Sequence, residues 1–105
     1  MIAYIRLLLD YGAYPVFLYD DEGCVIDTAL PPEWQDDEEL ADAFDAVDEL
    51  YRSFFIDNER EFSYIGPPNE ETRQHFVSLV ERAVALLEEK NAGKYLIRND
   101  IECDF

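Results

Sequence analysis

The most chemically distinctive residues of this chain are the carboxylates between Asp36 and Leu50, where eight of 15 residues are acidic and none is basic. Spacings of four, three and four positions place a subset of them on one side of a helix, and we call this subset the acidic ridge: Glu38, Asp42, Asp45 and Glu49. Like charges at this spacing destabilise a helix by a few tenths of a kcal/mol for each pair, and Asp is a poor residue inside a helix. A basic partner that contacts these carboxylates would supply a reason for their presence.

The acidic ridge is also compatible with two roles that need no partner. An acidic helix face is often simply solvated, and the helix dipole favours acids in the first turn, which accounts for Asp36 to Glu39. Adaptation to high salt would also account for the low lysine content, since Lys90 and Lys94 are the two lysines beside six arginines. The many Phe, Tyr and Leu residues favour an ordinary, rich core over salt adaptation.

Composition and charge narrow the class of protein and of partner. A chain of 105 residues is typical of one compact domain, here residues 1–105, and 49% hydrophobic with 14% aromatic residues argues against disorder. Eight basic residues stand against 25 acidic ones, which gives a net charge of -17. Such a field repels nucleic acid and anionic membranes and attracts basic proteins. We therefore expect a basic protein partner, no nucleic acid and no membrane; the oligomeric state is left open.

The N-terminus and the cysteines predict a cytoplasmic protein. The first apolar run lacks a basic region before it, stops at Asp10 and is followed by no small-residue cleavage site, so it does not resemble a signal peptide. No apolar run is long enough to span a bilayer. Cys24 and Cys103 are more typical of reduced packing residues than of a disulfide framework, although a disulfide between adjacent strands stays possible in principle.

Further candidate chemistry is sparse, so we expect no enzyme, no cofactor and no metal. The one histidine, His75, borders the apolar stripe of a helix and has no evident catalytic companion. The sequence contains no Cys-x-x-Cys, no His-Glu-x-x-His and no phosphate-binding glycine loop. Asp20 to Gly23 offers oxygen ligands, but without the alternating acids of a calcium loop it is better explained as a hairpin turn. With 25 acids, a carboxylate pair suited to acid–base catalysis carries almost no information.

Hydrophobic periodicity predicts the elements that would position the acidic ridge. We expect helices over Ile2–Asp10, from Asp36 or Asp37 onward, and from an Asn69 N-cap to a stop at Asn91–Gly93. Predicted strands cover Tyr14–Tyr19, Cys24–Asp27, Glu61–Ile65 and Lys94–Arg98. The ridge-bearing helix should bury a stripe that consists of Leu40, Phe44, Val47, Leu50, Tyr51, Phe54 and Phe55.

The predicted fold class is α+β in the order α-β-β-α-β-α-β, a four-stranded, mostly antiparallel sheet with helices packed on it. A connector, Leu30–Trp34, breaks the pattern just before the acidic helix. Trp34 lies in this Pro-rich connector beside the ridge, and Trp is prominent in interface hot spots. We therefore predict a partner-binding surface made of the acidic ridge and Trp34. A single aromatic residue is more often in the core or half-buried than exposed, and Trp34 is the best candidate for an exposed anchor.

The segments YPVFLYDDEGCVIDTALPPEW (Tyr14–Trp34) and FIDNEREFSYIG (Phe55–Gly66) resemble small acidic bacterial immunity proteins of polymorphic or contact-dependent toxin systems. This resemblance implies a cytosolic, non-enzymatic inhibitor, in the manner of a toxin–antitoxin pair, that binds and neutralises one cognate toxin, often a basic nuclease. One alternative is an acidic adaptor or a nucleic-acid mimic that regulates a host enzyme. Another is a carboxylate-rich, metal-dependent domain.

Overall fold

The computed structural model describes residues 2–57 and 60–101. Its elements in chain order are β1 (Tyr4–Leu7), β2 (Val16–Tyr19), β3 (Val25–Thr28), a 3₁₀ turn (Pro32–Trp34), α1 (Glu38–Arg52), β4 (Phe55–Asp57), β5 (Phe62–Tyr64), α2 (Glu70–Asn91) and β6 (Leu96–Asn99). The main sheet has the strand order β3-β2-β1-β6, in which only the β1–β6 pair is parallel, and β4 and β5 form a separate two-stranded sheet. The predicted α+β class with a four-stranded, mostly antiparallel sheet is therefore confirmed. The strand predicted at Glu61–Ile65 is β5 and lies in the small sheet, while β1 is the fourth strand of the main sheet, so the predicted element order holds only roughly.

The predicted helix over Ile2–Asp10 is wrong, because this segment contains strand β1 in the middle of the main sheet. Ile5 and Leu7 are fully buried, while Tyr4 and Arg6 between them are half-buried, which is the two-residue period of a strand. Ile5 pairs with a residue of β2 on one side and a residue of β6 on the other. These non-local hydrogen bonds override the apparent helical spacing, so the chain begins with three strands.

The β2–β3 hairpin follows the prediction, with its second strand shifted by one residue. Asp20 Oδ1 accepts hydrogen bonds from the backbone N–H groups of Glu22 and Cys24, each at 2.9 Å, and Gly23 has a φ of +80°. This is turn geometry rather than an ion site. Cys24 is a free, exposed cysteine at the turn and so does not serve the packing role expected of it. Cys103 lies outside the described residues.

Helix α1 begins as predicted and ends earlier than predicted. The Asp37 carboxylate caps its first turn by accepting the Leu40 N–H at 3.1 Å. The helix stops at Arg52, where the Ser53 hydroxyl donates to the Leu50 carbonyl at 2.6 Å. The expectation that Phe55 belongs to the helical stripe is wrong, because Phe55 starts β4 and pairs with β5.

Helix α2 is capped as predicted, and it holds β6 in place. The Asn69 side chain accepts the Thr72 N–H at 2.8 Å, and the helix ends at Asn91 before a left-handed residue. Asn91 is buried, and its side-chain amide exchanges hydrogen bonds with the backbone C=O and N–H of Tyr95 at 2.9 and 2.8 Å. This contact sets the turn from α2 into β6.

Both helices contact each other and pack on one face of the main sheet. The core there combines sheet residues such as Ile5 and Leu18 with helix residues such as Phe44, Val47 and Phe76. On the opposite face, Tyr4 and Tyr19 stack with ring centroids 4.8 Å apart. Among the described residues, no helix combines the length and apolar character needed to cross a membrane.

Candidate protein-binding surface

The acidic ridge lies on the side of α1 that faces away from the core. Its four carboxylates are all exposed, whereas the opposite side of the helix is buried through Leu40, Ala43, Phe44 and Val47. Spacings of three and four residues keep successive side chains on one face, about 5–6 Å apart at their Cβ atoms. The structure thus brings the predicted site residues of α1 together in one continuous row.

The four ridge carboxylates have no ion-pair partner within the part of the chain that the structure describes. None of its four carboxylates forms an ion pair with a described residue, and the nearest arginine, Arg52, instead contacts Asp48 at 2.8 Å. Most of the basic side chains are paired elsewhere within the chain: Arg6, Arg52, Arg73, Lys90, Lys94 and Arg98. The ridge therefore offers its full negative charge to the solvent.

The second helix does not share this arrangement, which makes the ridge a property of α1. Neutral or basic residues interrupt the glutamates on the exposed side of α2: Gln74, Ser78, Arg82 and Ala85. Glu81 on that side has no charged residue three or four positions away. A surface adapted to salt would be expected to carry its acids on both helices, so the contrast favours a local role for the ridge.

On one flank of the ridge, Tyr14 lies beside Asp45 and is also affected by the charge of Asp48. Burial raises the pKa of the half-buried Tyr14 phenol, and the Asp45 carboxylate and then Asp48 raise that pKa further. Burial also raises the pKa of Asp48, whose side chain is only 13% exposed, while Arg52 partly offsets the effect. The carboxylate of Asp48, beside the exposed ridge, is therefore poorly solvated.

On the other flank, a shallow groove of about 360 Å³ lies at the surface between α1 and α2. Ala46, Leu50 and Leu79 supply its apolar lining, and Glu49 and His75 its polar lining. His75 is exposed, in agreement with the expectation of a surface or boundary residue. Apolar surface therefore lies directly beside the ridge.

Trp34, the remaining predicted site residue, belongs mainly to the framework of the fold. It is half-buried and packs edge-to-face on Tyr95, with ring centroids 5.9 Å apart, so it is not the fully exposed anchor for which it was the best candidate. The neighbouring Glu33 pairs with Lys94 and accepts a hydrogen bond from the Tyr95 hydroxyl at 2.8 Å. Lys94, and then Tyr95, lower the pKa of Glu33. These contacts fix the connector to the start of β6, and only part of the indole faces solvent.

The β4–β5 hairpin exposes an apolar surface that the sequence pattern did not indicate. Phe62, Tyr64 and Ile65 have exposed fractions of 59%, 50% and 58%. Phe62 contacts Tyr11 and Phe55, with centroid distances of 5.1 and 5.7 Å, but a two-stranded sheet shields little of each ring. The alternation of Phe62 and Tyr64 with Ser63 predicts a strand with an apolar face, but not that this face stays open.

The described residues contain no group of three or more His, Cys, Asp or Glu side chains placed to hold a metal ion. The turn at Asp20 directs its carboxylate to backbone N–H groups. No observation on the described surface therefore favours the metal-dependent alternative.

Comparisons of this chain with known proteins do not identify a function for the candidate surface. The sequence matches no family model and no curated protein, and the structure matches no solved structure. Function must therefore be argued from the ridge and its surroundings.

Proposed function

We propose that this protein is an inhibitor of the immunity type that binds a basic toxin protein through the acidic ridge of α1. The observation that carries the proposal is a row of four exposed carboxylates without an ion-pair partner among the described residues. Retaining such a row has a cost in helix stability, and a basic partner surface would offset it on binding. In this proposal the chain has no catalytic role of its own and acts in the cytoplasm.

A nuclease is the class of toxin that this surface fits best. An enzyme that holds a polyanion has a basic cleft, and carboxylates can occupy the positions that phosphates would take. The charge of -17 would also accelerate encounter with a basic protein, since electrostatic steering raises association rates by factors of about 10 to 1,000. Rapid capture suits an inhibitor that protects its own cell.

The alternative of an acidic adaptor or nucleic-acid mimic uses the same ridge and the same charge logic. The two functions differ in the identity of the partner, a toxin in one case and a host enzyme in the other. Because the surface is shared, one experiment can test the ridge and name the partner.

The test compares three forms of the protein as bait in lysate of its own cells, at low and high salt, with mass spectrometry as the readout. The forms are wild type, a ridge reversal with Asp42→Lys and Asp45→Lys, and a matched reversal on α2 with Glu81→Lys and Glu88→Lys. We expect one basic protein to be retained in stoichiometric amount by wild type and the α2 variant and to be lost from the ridge variant. Inhibition of the purified partner by wild type then tests the inhibitor role.

Equal retention of that partner by the ridge variant would contradict the proposed surface. Association measured by stopped flow with the purified partner gives the quantitative check. The ridge reversal should slow association at low salt by about tenfold or more, and the difference should shrink as salt rises. Circular dichroism of each variant controls for loss of the fold.

A further inference from the structure

A shallow pocket of about 230 Å³ opens beside the acidic ridge where three distant parts of the chain meet. We call it the side pocket, and its lining consists of Tyr14, Thr28, Ala29, Leu30, Gln35 and Asp45. Sites for small molecules and cofactors usually have volumes of about 300–1,000 Å³. The side pocket is thus closer in size to a single amino-acid side chain than to a metabolite or cofactor.

Its chemistry suits a cation with an apolar stem. Asp45 belongs both to the ridge and to the side pocket, while Ala29 and Leu30 supply apolar walls. Gln35 donates its side-chain Nε2–H to the Leu30 carbonyl at 3.2 Å, which leaves its amide oxygen as an acceptor. The half-buried ring of Tyr14 adds an aromatic surface, on which a planar cation can stack.

The charge around the side pocket favours a positive occupant. Asp45 and Asp48 both act on the Tyr14 hydroxyl, and Arg52 compensates only Asp48 through its ion pair. An added cation would relieve the repulsion between the two carboxylates. Arginine fits better than lysine, because guanidinium is planar, pairs with a carboxylate through two hydrogen bonds and is less strongly hydrated than ammonium.

We propose that the side pocket receives one arginine side chain of the basic partner, whose guanidinium pairs with Asp45 and stacks on Tyr14. This inference rests on the proposed function and adds an anchor to it. The ridge then steers the partner in a manner that tolerates lysine or arginine, whereas the side pocket selects arginine at one position.

The probes are two matched peptides, a Gly/Ser peptide with four lysines and the same peptide with one lysine replaced by arginine. Binding is measured by NMR titration at low salt, with the side-chain amide of Gln35 and the methyl group of Ala29 as reporters. We expect the arginine peptide to bind about tenfold more tightly and to shift both reporters. Asp45→Asn should remove this preference, whereas Asp42→Asn should weaken both peptides about equally, by roughly twofold.

Ala29→Leu provides a test without a change of charge, since the larger side chain fills the pocket. The preference for arginine should disappear in this variant while the lysine peptide keeps its affinity within about twofold. If Ala29→Leu does not fold, Tyr14→Leu tests the same proposal, because it removes the aromatic ring on which the guanidinium would stack and should lower the preference for arginine.

The outcomes separate this inference from the proposed function. If both peptides bind with equal affinity and the ridge reversal weakens their binding, the proposed arginine site in the side pocket is wrong, and the ridge remains a binding surface. Equal preference for arginine in wild type and Ala29→Leu would also overturn it. Absence of binding by either peptide at low salt would count against the ridge itself.

Discussion

Neutralising one carboxylate of the acidic ridge should make the protein more stable. Asp42 has three acidic neighbours at helical contact distance, namely Glu38, Glu39 and Asp45, and all are exposed. Each like-charge pair at this spacing costs about 0.2–0.5 kcal/mol, so Asp42→Asn should raise the free energy of unfolding by about 1 kcal/mol at low salt. For a domain of this size the melting temperature should rise by roughly 5 °C.

The assay is thermal and urea denaturation followed by circular dichroism at neutral pH, in about 10 mM and about 1 M salt. Glu81→Gln on α2 is the matched control, because it removes one exposed charge that has no charged residue three or four positions away. We expect the increase in the free energy of unfolding that Asp42→Asn gives at low salt to vanish at high salt. The stability of the control variant should change little at either salt concentration. A neutral or destabilising effect of Asp42→Asn at low salt would refute the argument that the ridge weakens its own helix.

Two further predictions concern the contacts that hold the ridge in place. Asp37 caps α1, and its carboxylate lies 2.7 Å from the Lys90 ammonium. Lys90, and to a smaller extent the hydrogen bond from the Leu40 N–H, lower the pKa of Asp37. A carboxylate with a lowered pKa stabilises the folded state at neutral pH, and this stabilisation is lost as the pH falls through that pKa. In acid titrations of unfolding, the free energy by which wild type is more stable than Asp37→Asn should therefore shrink below about pH 4. An advantage that is independent of pH would contradict the role of this ion pair. Asn91→Ala should cost about 2 kcal/mol, because it removes the buried partner of the Tyr95 backbone. Fluorescence of Trp34, the one tryptophan, reports the adjacent contact with Tyr95, and an unfolding midpoint equal to wild type would contradict this prediction.

Local chemistry made the two helix starts predictable from the sequence. Asp37 and Asn69 each accept a backbone N–H three residues ahead, and this contact depends only on neighbouring residues. Strand β1 could not be found in the same way, because its apolar residues also fit a helical period and its true partners lie in β2 and β6. The same applies to Phe55, which continues the apolar stripe of α1 in sequence but pairs with Tyr64 in space.

The candidate surface also has a part that local sequence predicts and a part that depends on tertiary packing. The acidic ridge could be predicted because one helix supplies all four carboxylates, and helical geometry alone fixes their side. The side pocket could not, since Tyr14, Ala29, Gln35 and Asp45 meet only after the sheet, the connector and α1 have packed together. The exposed hairpin around Phe62 was missed for a related reason: an alternating pattern shows that a strand has an apolar face, not what covers it.

The placement of charge on α1 links stability to the proposed function. The ridge weakens the helix by repulsion, but the helix is held by the Asp37 cap and by full burial of Leu40, Phe44 and Val47. Those contacts lie on the opposite face or at the helix start, so they can compensate the repulsion without neutralising the ridge. The carboxylates thus remain available at a fixed spacing before any partner arrives. A flexible acidic segment loses conformational entropy when it binds, whereas carboxylates on a folded helix are already ordered. For the proposed inhibitor, this is the advantage of carrying its carboxylates on a helix instead of on an acidic tail.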